Sequence, residues 1–283
     1  MNFVISTNEH PTYRAFLEPV CSYYYSLGHN VHVAYVSQSF PTERPECSSF
    51  IHIPLLDGFD WGIQAKLSRT FYASKLNDNE TYTILDVDQI LINIRWLEGL
   101  IEKHSSSLLS ESCPVLAIGS KGYLNTPAAG KWPLYFTTAT PEGFRKLLGI
   151  TKDFSFSNLL SHFSSVNSPI DNKESTSNQF CNFSDESLFR WCSENNVVDL
   201  IHEPKPNHTD GKWAHRIDRT DWIMENFGNP HFGLGFWGQK DLTLEQKKMI
   251  MNGDMYDSFP ARPYEDNKDL IDSIISAAKL FNS

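Results

Sequence analysis

The chain has 283 residues, of which 40% are hydrophobic, and it carries a formal net charge of −10. This length and apolar content suffice for one large domain, so we expect residues 1–283 to form a single domain. The negative charge repels nucleic-acid phosphates and excludes nucleic acid as a partner. With no signal-peptide pattern, no run of about 18 apolar residues and no CxxC pair, we expect a soluble, cytoplasmic protein with no membrane span.

The first part of the chain alternates short apolar runs with helical patterns. We predict strands at 2–7, 31–36, 51–55 and 82–85, and helices at 12–27 and 63–76. Regular alternation of strand and helix is typical of a mostly parallel sheet with helices on both faces. The sequence therefore predicts an α/β fold.

The second part of the chain has clear elements and one long irregular segment. We predict strands at 115–118, 134–138 and 197–201, a helix from 184 to about 196, and a final helix at 267–281. Another helix begins after Thr140, where Pro141 takes the first helical position and Glu142 the first turn. Residues 155–184 are rich in Ser and Asn and predict a long loop or an irregular insertion.

Two carboxylates follow the strand predicted at 82–85. Alternation along the strand points Asp86 and Asp88 to the same side, at the carboxyl edge where α/β sheets bind ligands. Close carboxylates repel each other, so the pair favours a bound cation. Hard oxygen ligands suit Mn²⁺ or Mg²⁺, and either ion also binds a diphosphate.

The order of these features resembles the GT-A fold glycosyltransferases that carry a DxD motif. A first strand ends in Ser6-Thr7, a helix bears Lys66 and Arg69, and Asp86-Val87-Asp88 follows. The resemblance covers roughly residues 1–220 and is to small, soluble bacterial, phage or large-DNA-virus enzymes. It implies a GT-A-like (Rossmann-like) fold, with a nucleotide-sugar-binding half at 1–110 and an acceptor-side half with a C-terminal tail at 111–283.

The same resemblance implies metal-dependent transfer of a sugar from a nucleoside-diphosphate sugar, a UDP-sugar, to a hydroxyl of a glycan acceptor. It implies that Asp86 contacts the metal and the ribose and that Asp88 binds the metal. The other residues that it places at the donor are Thr7, Asn8, Tyr13, Lys66 and Arg69. The alternative for Lys66 and Arg69 is that they lie on an ordinary surface face of a helix and bind no donor.

The acceptor side is predicted from two segments. Phe183–Leu188 resembles the acidic helix start that such enzymes place beside the acceptor, which implies Asp185 as the general base of an inverting transfer. Asp185 is also consistent with a plain helix N-cap. Trp213, Arg216 and Asp218 form a dense cluster that we predict to bind the acceptor, with a structural salt-bridge cluster as the alternative.

Two other functions fit a DxD at the end of a strand. A phosphohydrolase of the haloacid-dehalogenase type would use Asp86 as its nucleophile. That family usually continues with Gly-Thr near the N-terminus, whereas this chain has Gln89-Ile90 after about eighty residues. A non-catalytic module that binds sugar nucleotides or glycans is the third hypothesis.

Overall fold

The computed structural model describes residues 1–91, 93–118, 136–165, 185–203, 244, 257–258 and 268–283. A seven-stranded sheet has helices packed on both of its faces. The prediction of a mostly parallel α/β sheet is confirmed. No helix in these ranges combines the length and the apolar character needed to cross a membrane.

The strands and helices of the described residues are numbered in chain order. The strands are β1 Asn2–Asn8, β2 Asn30–Ser37, β3 Ser49–Pro54, β4 Tyr82–Asp86, β5 Ile90–Leu91, β6 Val115–Ile118, β7 Thr137–Ala139, β8 Leu200–Glu203 and β9 Asp257–Ser258. The helices are α1 Pro11–Arg14, α2 Leu17–Ser26, α3 Trp61–Ala73, α4 Ile94–Leu108, α5 Pro141–Leu148, α6 Phe156–Ser165, α7 Asp185–Asn195 and α8 Lys268–Asn282.

The main sheet has the strand order β3-β2-β1-β4-β7-β6-β8. Strand β1 pairs in parallel with β2 and with β4, and β2 pairs in parallel with β3. Strand β8 pairs in parallel with β6. Strand β7 is antiparallel to both of its neighbours. All strands of this sheet except β7 therefore end at one edge, here called the carboxyl edge, and begin at the opposite amino edge.

The two faces of the sheet bury separate hydrophobic cores because successive side chains of a strand point to opposite faces. Phe3 and Ile5 of β1 pack with α2, α4 and α8 on one face. Val4 of the same strand packs with α3, α5, α6 and α7 on the other face. The sheet is thus covered on both sides, as parallel strands require.

The helix predicted at 12–27 is two helices, α1 and α2, so that prediction is wrong in its continuity. Pro19 has no backbone N–H, and inside a continuous helix its ring would clash with the carbonyl of Ala15. A new helix that begins at Leu17 places Pro19 in its first turn, where the missing N–H costs little. The break therefore lies at Ala15 and Phe16.

The prediction of a loop over 155–184 is wrong for its first third, which forms α6. Four buried residues at helical spacing give this helix its apolar face: Phe156, Leu159, Leu160 and Phe163. The Ser155 hydroxyl accepts a hydrogen bond from the backbone N–H of Asn158 at 3.1 Å and caps the first turn. Serine-rich composition concealed the periodicity, and residues 166–184 lie outside the described ranges.

Several boundaries also differ from the prediction. Helix α4 lies where the sequence predicts no helix. Helix α3 begins at Trp61, two residues before its predicted start. The strand predicted at 197–201 is β8, Leu200–Glu203, and Val197 is 95% exposed. The helix predicted from Thr140 is confirmed as α5: the Thr140 hydroxyl accepts from the N–H of Gly143 at 3.1 Å.

A second, two-stranded sheet follows the Asp86-Val87-Asp88 motif. Strand β5 pairs antiparallel with β9, with Ile90 opposite Ser258 and Leu91 opposite Asp257. Helix α8 packs in the core against α2, and the Asn282 side chain accepts from the N–H of Ile94 at 3.2 Å. The chain after the motif is thus joined to segments from the far end of the sequence.

Candidate active site

The candidate site lies where β1 and β4 end side by side. Ser6 pairs with Asp86, and β1 continues through Thr7 to Asn8. From β1 the chain adds β2 and β3 on one side and then places β4 on the other side. Such a reversal of strand order leaves a crevice at the carboxyl edge, where open α/β sheets bind their ligands.

Asp86 and Asp88 lie at the start and at the third position of a tight turn. Strand β4 ends at Asp86, whose carbonyl accepts from the N–H of Gln89 at 3.1 Å. The Gln89 side-chain oxygen accepts in return from the N–H of Asp86 at 3.3 Å. Asp88 is therefore in a turn and not on the strand, so strand alternation was the wrong reason for placing it here. Val87 between the carboxylates is buried in the core.

Arg69 of α3 forms an ion pair with Asp86, from Nη1 to Oδ1. The Arg69 side chain is 3% exposed and that of Asp86 is 34% exposed. For Arg69 the alternative of an ordinary surface position is wrong, because the guanidinium is buried at the site. Lys66 lies one turn earlier and is half-buried, so the two cations share one side of α3.

Tyr13 of α1 lies within electrostatic range of both carboxylates. Its side chain is 48% exposed. Partial burial, and after it the negative charges of Asp88 and then Asp86, raise the pKa of the Tyr13 phenol above its ordinary value. The structure thus brings together Tyr13, Asp86 and Asp88, which the sequence predicted to share a site.

Asn8 connects the end of β1 to the two helices that border the site. Its side-chain oxygen accepts from the N–H of His10 at 3.0 Å, which turns the chain into α1. Its side-chain nitrogen donates to the carbonyl of Trp61 at 3.4 Å, at the start of α3. Thr7 is buried, and its hydroxyl donates to the Asn8 carbonyl at 3.4 Å. These contacts hold Tyr13 and α3 beside the carboxylates.

Trp61 is a residue of this region that the sequence did not suggest. It is the first residue of α3, its side chain is 50% exposed, and its carbonyl is the one that Asn8 contacts. The Asp60 side chain caps the same helix by accepting from the N–H of Ile63 at 2.9 Å. The sequence signal for this helix start is Asp60, a residue type that caps helices, directly before Trp61.

The carboxylate oxygens of Asp86 and Asp88 are suitable ligands for a divalent ion and would supply part of its coordination shell. Asp86 and Asp88 offer hard oxygen ligands from one turn. Within the described residues no three His, Cys, Asp or Glu side chains cluster closely enough to hold a metal. Mg²⁺ commonly uses one or two carboxylates and completes its shell with substrate phosphates and water. The pair is consistent with that arrangement.

The residues predicted for the acceptor side are described only in part. Asp185 is the first residue of α7, one position after the N-cap, so the alternative that it is a plain N-cap is wrong; its side chain lies outside what the structure describes. Helix α7 leads into β8, which begins at the amino edge. Asp185 is therefore at the end of α7 away from that edge. Trp213, Arg216 and Asp218 lie outside the described residues.

No family model matches the chain, and no curated protein matches it. Among solved structures, the galactosyltransferase LgtC in complex with donor and acceptor sugar analogues matches 100% of this chain and 97% of its own, with 10% identity and a TM-score of 0.44. A glycosyltransferase involved in glycosylation of the major capsid of PBCV-1 matches 95% of this chain and 99% of its own, with 11% identity and a TM-score of 0.42. The glycosyltransferase GlyE of Streptococcus pneumoniae TIGR4 matches 75% of this chain and 46% of its own, with 12% identity and a TM-score of 0.42.

Proposed function

We propose that this chain is a metal-dependent glycosyltransferase that moves a sugar from a UDP-sugar to a hydroxyl of a glycan acceptor. The observation that carries the proposal is the pair Asp86 and Asp88 at the carboxyl edge, beside the reversal of strand order between β1 and β4. Nucleotide ligands bind at this place in open α/β sheets. Two carboxylates there suit a metal–diphosphate complex better than a neutral ligand.

The donor would lie across the ends of β1 and β4. Tyr13 of α1 offers a half-exposed ring for the nucleotide base. Asn8 lies at the end of β1, the strand next to β4. Lys66 and Arg69 supply positive charge on the same side of α3, which favours the diphosphate. Arg69 already neutralises part of the charge of Asp86, so the site can accept further anionic groups.

Mn²⁺ or Mg²⁺ would be held by Asp86 and Asp88 and would neutralise the charge that develops on the leaving diphosphate. The turn between Asp86 and Gln89 fixes the two carboxylates relative to each other. The contact with Arg69 leaves Asp86 a second carboxylate oxygen for the metal or for the donor ribose.

The transfer itself exchanges one bond to the anomeric carbon. The acceptor hydroxyl oxygen forms a bond to the anomeric carbon. At the same time the bond between the anomeric carbon and the diphosphate oxygen breaks, and its electron pair leaves with the nucleoside diphosphate. Asp185 is the proposed base that takes the hydroxyl proton in an inverting transfer. Trp213, Arg216 and Asp218 are the proposed acceptor-binding residues.

The test is a panel of sugar nucleotides and glycan acceptors, with and without Mn²⁺, on wild type and on Asp88→Asn. Wild type should release UDP, form the glycoside and gain thermal stability with UDP and Mn²⁺, because a ligand that binds the folded state stabilises it. Asp88→Asn should lose the metal-dependent part of all three effects. The control, Asp199→Asn, changes an exposed Asp that precedes β8 at the amino edge and should behave as wild type.

One result would correct the proposed site, and two would remove the proposed function. Full transfer by Asp88→Asn would exclude that residue as a metal ligand. Rapid hydrolysis of an aryl phosphate by wild type would favour the phosphohydrolase hypothesis. Binding of UDP-sugars with no transfer or donor hydrolysis at any metal concentration would favour a binding module.

A further inference from the structure

The segment that follows the motif is held by the hydroxyl group of a buried tyrosine. Tyr24 of α2 is 0% exposed. Its hydroxyl donates to the carbonyl of Gln89 at 3.1 Å and accepts from the N–H of Leu91 at 3.0 Å. One side-chain oxygen therefore satisfies two backbone groups that are buried in the core, where an unpaired group would be costly.

The Tyr24 ring is itself fixed in place. It packs against the ring of Phe3 of β1 with centroids 4.4 Å apart, and against Tyr23 at 4.9 Å. Tyr23 gives the same segment a second anchor, because its hydroxyl donates to the carbonyl of Leu91 at 2.8 Å. The Tyr24 ring therefore packs against β1, which pairs with β4, the strand that ends at Asp86.

Gln89 connects this anchor to the carboxylates. On one side its carbonyl accepts from Tyr24. On the other side its N–H donates to the Asp86 carbonyl, and its side-chain oxygen accepts from the Asp86 N–H. Asp88 directly precedes Gln89, so a shift of Gln89 changes the backbone angles that aim the Asp88 carboxylate.

We infer that Tyr24 is a positioning residue for the metal- and donor-binding turn Asp86–Gln89. It acts through Gln89 and touches neither metal nor donor. The inference rests on the proposed function, because it assigns a role to the turn that would bind the metal. Groups that orient metal ligands from outside the coordination shell typically change metal affinity or activity by roughly 10-fold to 100-fold when they are removed.

The test compares Tyr24→Phe with a matched control, Tyr82→Phe. Tyr82 is 2% exposed and belongs to β4, the strand of Asp86, but it lies at the opposite end. Its hydroxyl also accepts from a backbone N–H, that of Asn77 at 3.2 Å, and it donates to the side-chain carboxylate of Glu80 at 3.3 Å. Both variants lose a hydroxyl that accepts from a backbone N–H and donates to an oxygen, and only Tyr24 borders the motif. The partners of Tyr82 belong to exposed residues, so Tyr82→Phe should lose less stability than Tyr24→Phe, whose partners are buried.

Two measurements are made on the full chain in addition to activity. Titration calorimetry measures Mn²⁺ binding in the presence of UDP, and hydrogen exchange measures the amides of residues 86–91. Tyr24→Phe should weaken Mn²⁺ binding about tenfold or more and accelerate exchange in that segment. It should also lower kcat with the metal at saturation. Tyr82→Phe should leave Mn²⁺ affinity, kcat and exchange at 86–91 as in wild type.

The possible failures are distinguishable. If Tyr24→Phe binds Mn²⁺ as wild type does, or if Tyr82→Phe weakens binding equally, the positioning role is wrong and the proposed function stands. If wild type binds neither Mn²⁺ nor UDP, the proposed function is wrong, and the inferred role in metal binding is wrong with it. Unchanged exchange at 86–91 in Tyr24→Phe would show that the hydroxyl does not hold the turn.

Discussion

Arg69 and Asp86 form an ion pair whose cation is buried and whose anion is one-third exposed. A buried guanidinium needs partners, because taking a charge out of water without one is costly. The carboxylate, in contrast, keeps one-third of its surface in contact with solvent. The pair is therefore a structural support for α3 and, at the same time, part of the proposed donor site.

A double-mutant cycle measures the energy of this pair. With Arg69→Met, Asp86→Asn and the double variant, we expect a coupling free energy of about 1–3 kcal/mol in urea unfolding. The exposed pair Lys268–Asp272 of α8 is the control and should give about 0.3–0.5 kcal/mol with the corresponding changes. Equal coupling in the two cycles would show that burial of Arg69 does not strengthen its pair.

Replacement of Lys66 by Gln should separate donor binding from stability. The residue is half-buried on α3, and its charge is proposed to face the diphosphate. We expect unfolding free energy within about 0.5 kcal/mol of wild type and a KM for the donor raised roughly 10-fold or more. Lys279→Gln on α8, also half-buried, should leave KM unchanged. A normal KM in Lys66→Gln would remove that residue from the site.

The ion pair of Glu203 with Lys103, together with the hydrogen bond between Glu203 and His104, predicts a pH dependence of stability. The hydrogen bond from Lys103, and then that from His104, hold the pKa of Glu203 below its ordinary value, although partial burial opposes them. A carboxylate with a lowered pKa stabilises the fold above its unfolded pKa of about 4.3, and this contribution disappears as the pH falls through the folded pKa. Glu203→Gln should therefore be less stable than wild type by about 1 kcal/mol at pH 6–7, and the difference should shrink below about pH 4. Urea unfolding at several pH values measures it, and a difference that grows in acid would contradict the assignment.

Two helix glycines should respond oppositely to the same substitution. A Cβ atom at Gly143 of α5 would lie 2.8 Å from the carbonyl oxygen of Cys113 and 3.0 Å from Cβ of Ala139. Gly143→Ala must therefore displace backbone and should cost about 1–3 kcal/mol. At Gly99 of α4 nothing lies within 4 Å, and Gly99→Ala should stabilise by about 0.5–1 kcal/mol. Thermal unfolding compares the two variants, and a stabilised Gly143→Ala would contradict the close packing of α5 against Cys113.

Local patterns were sufficient to predict much of the fold. The β-branched runs of β1 and β2 and the start of α5 at Thr140 and Pro141 each have a local cause, in side-chain shape or capping. The break before Pro19 was also readable, because Pro belongs in the first turn of a helix. Helix α6 was missed since its four apolar residues lie among serines, and only their spacing marks it.

The site was predictable where it depends on strand ends and unpredictable where it depends on tertiary contacts. The position of Asp86 follows from the end of β4, but the turn at Asp88 depends on hydrogen bonds to Gln89. Burial of Arg69 has a sequence signal: Ala65, Arg69 and Ala73 are spaced four apart and share one buried side of α3. The contact of Tyr24 with Gln89, 65 residues away, has no local signal.

The small sheet of β5 and β9 has a consequence for biosynthesis. The motif is near the first third of the chain, yet Leu91 pairs with Asp257, and Ile94 is bonded to a residue 188 positions later. Contacts between such distant positions form slowly and require both segments to have left the ribosome. At roughly 5–20 residues per second, the synthesis of the intervening chain takes on the order of ten seconds or more. We therefore expect the nascent protein to fold its first parallel strands early and to complete the pairing of β5 and the contact at the start of α4 only after residues 257–282 have left the ribosome.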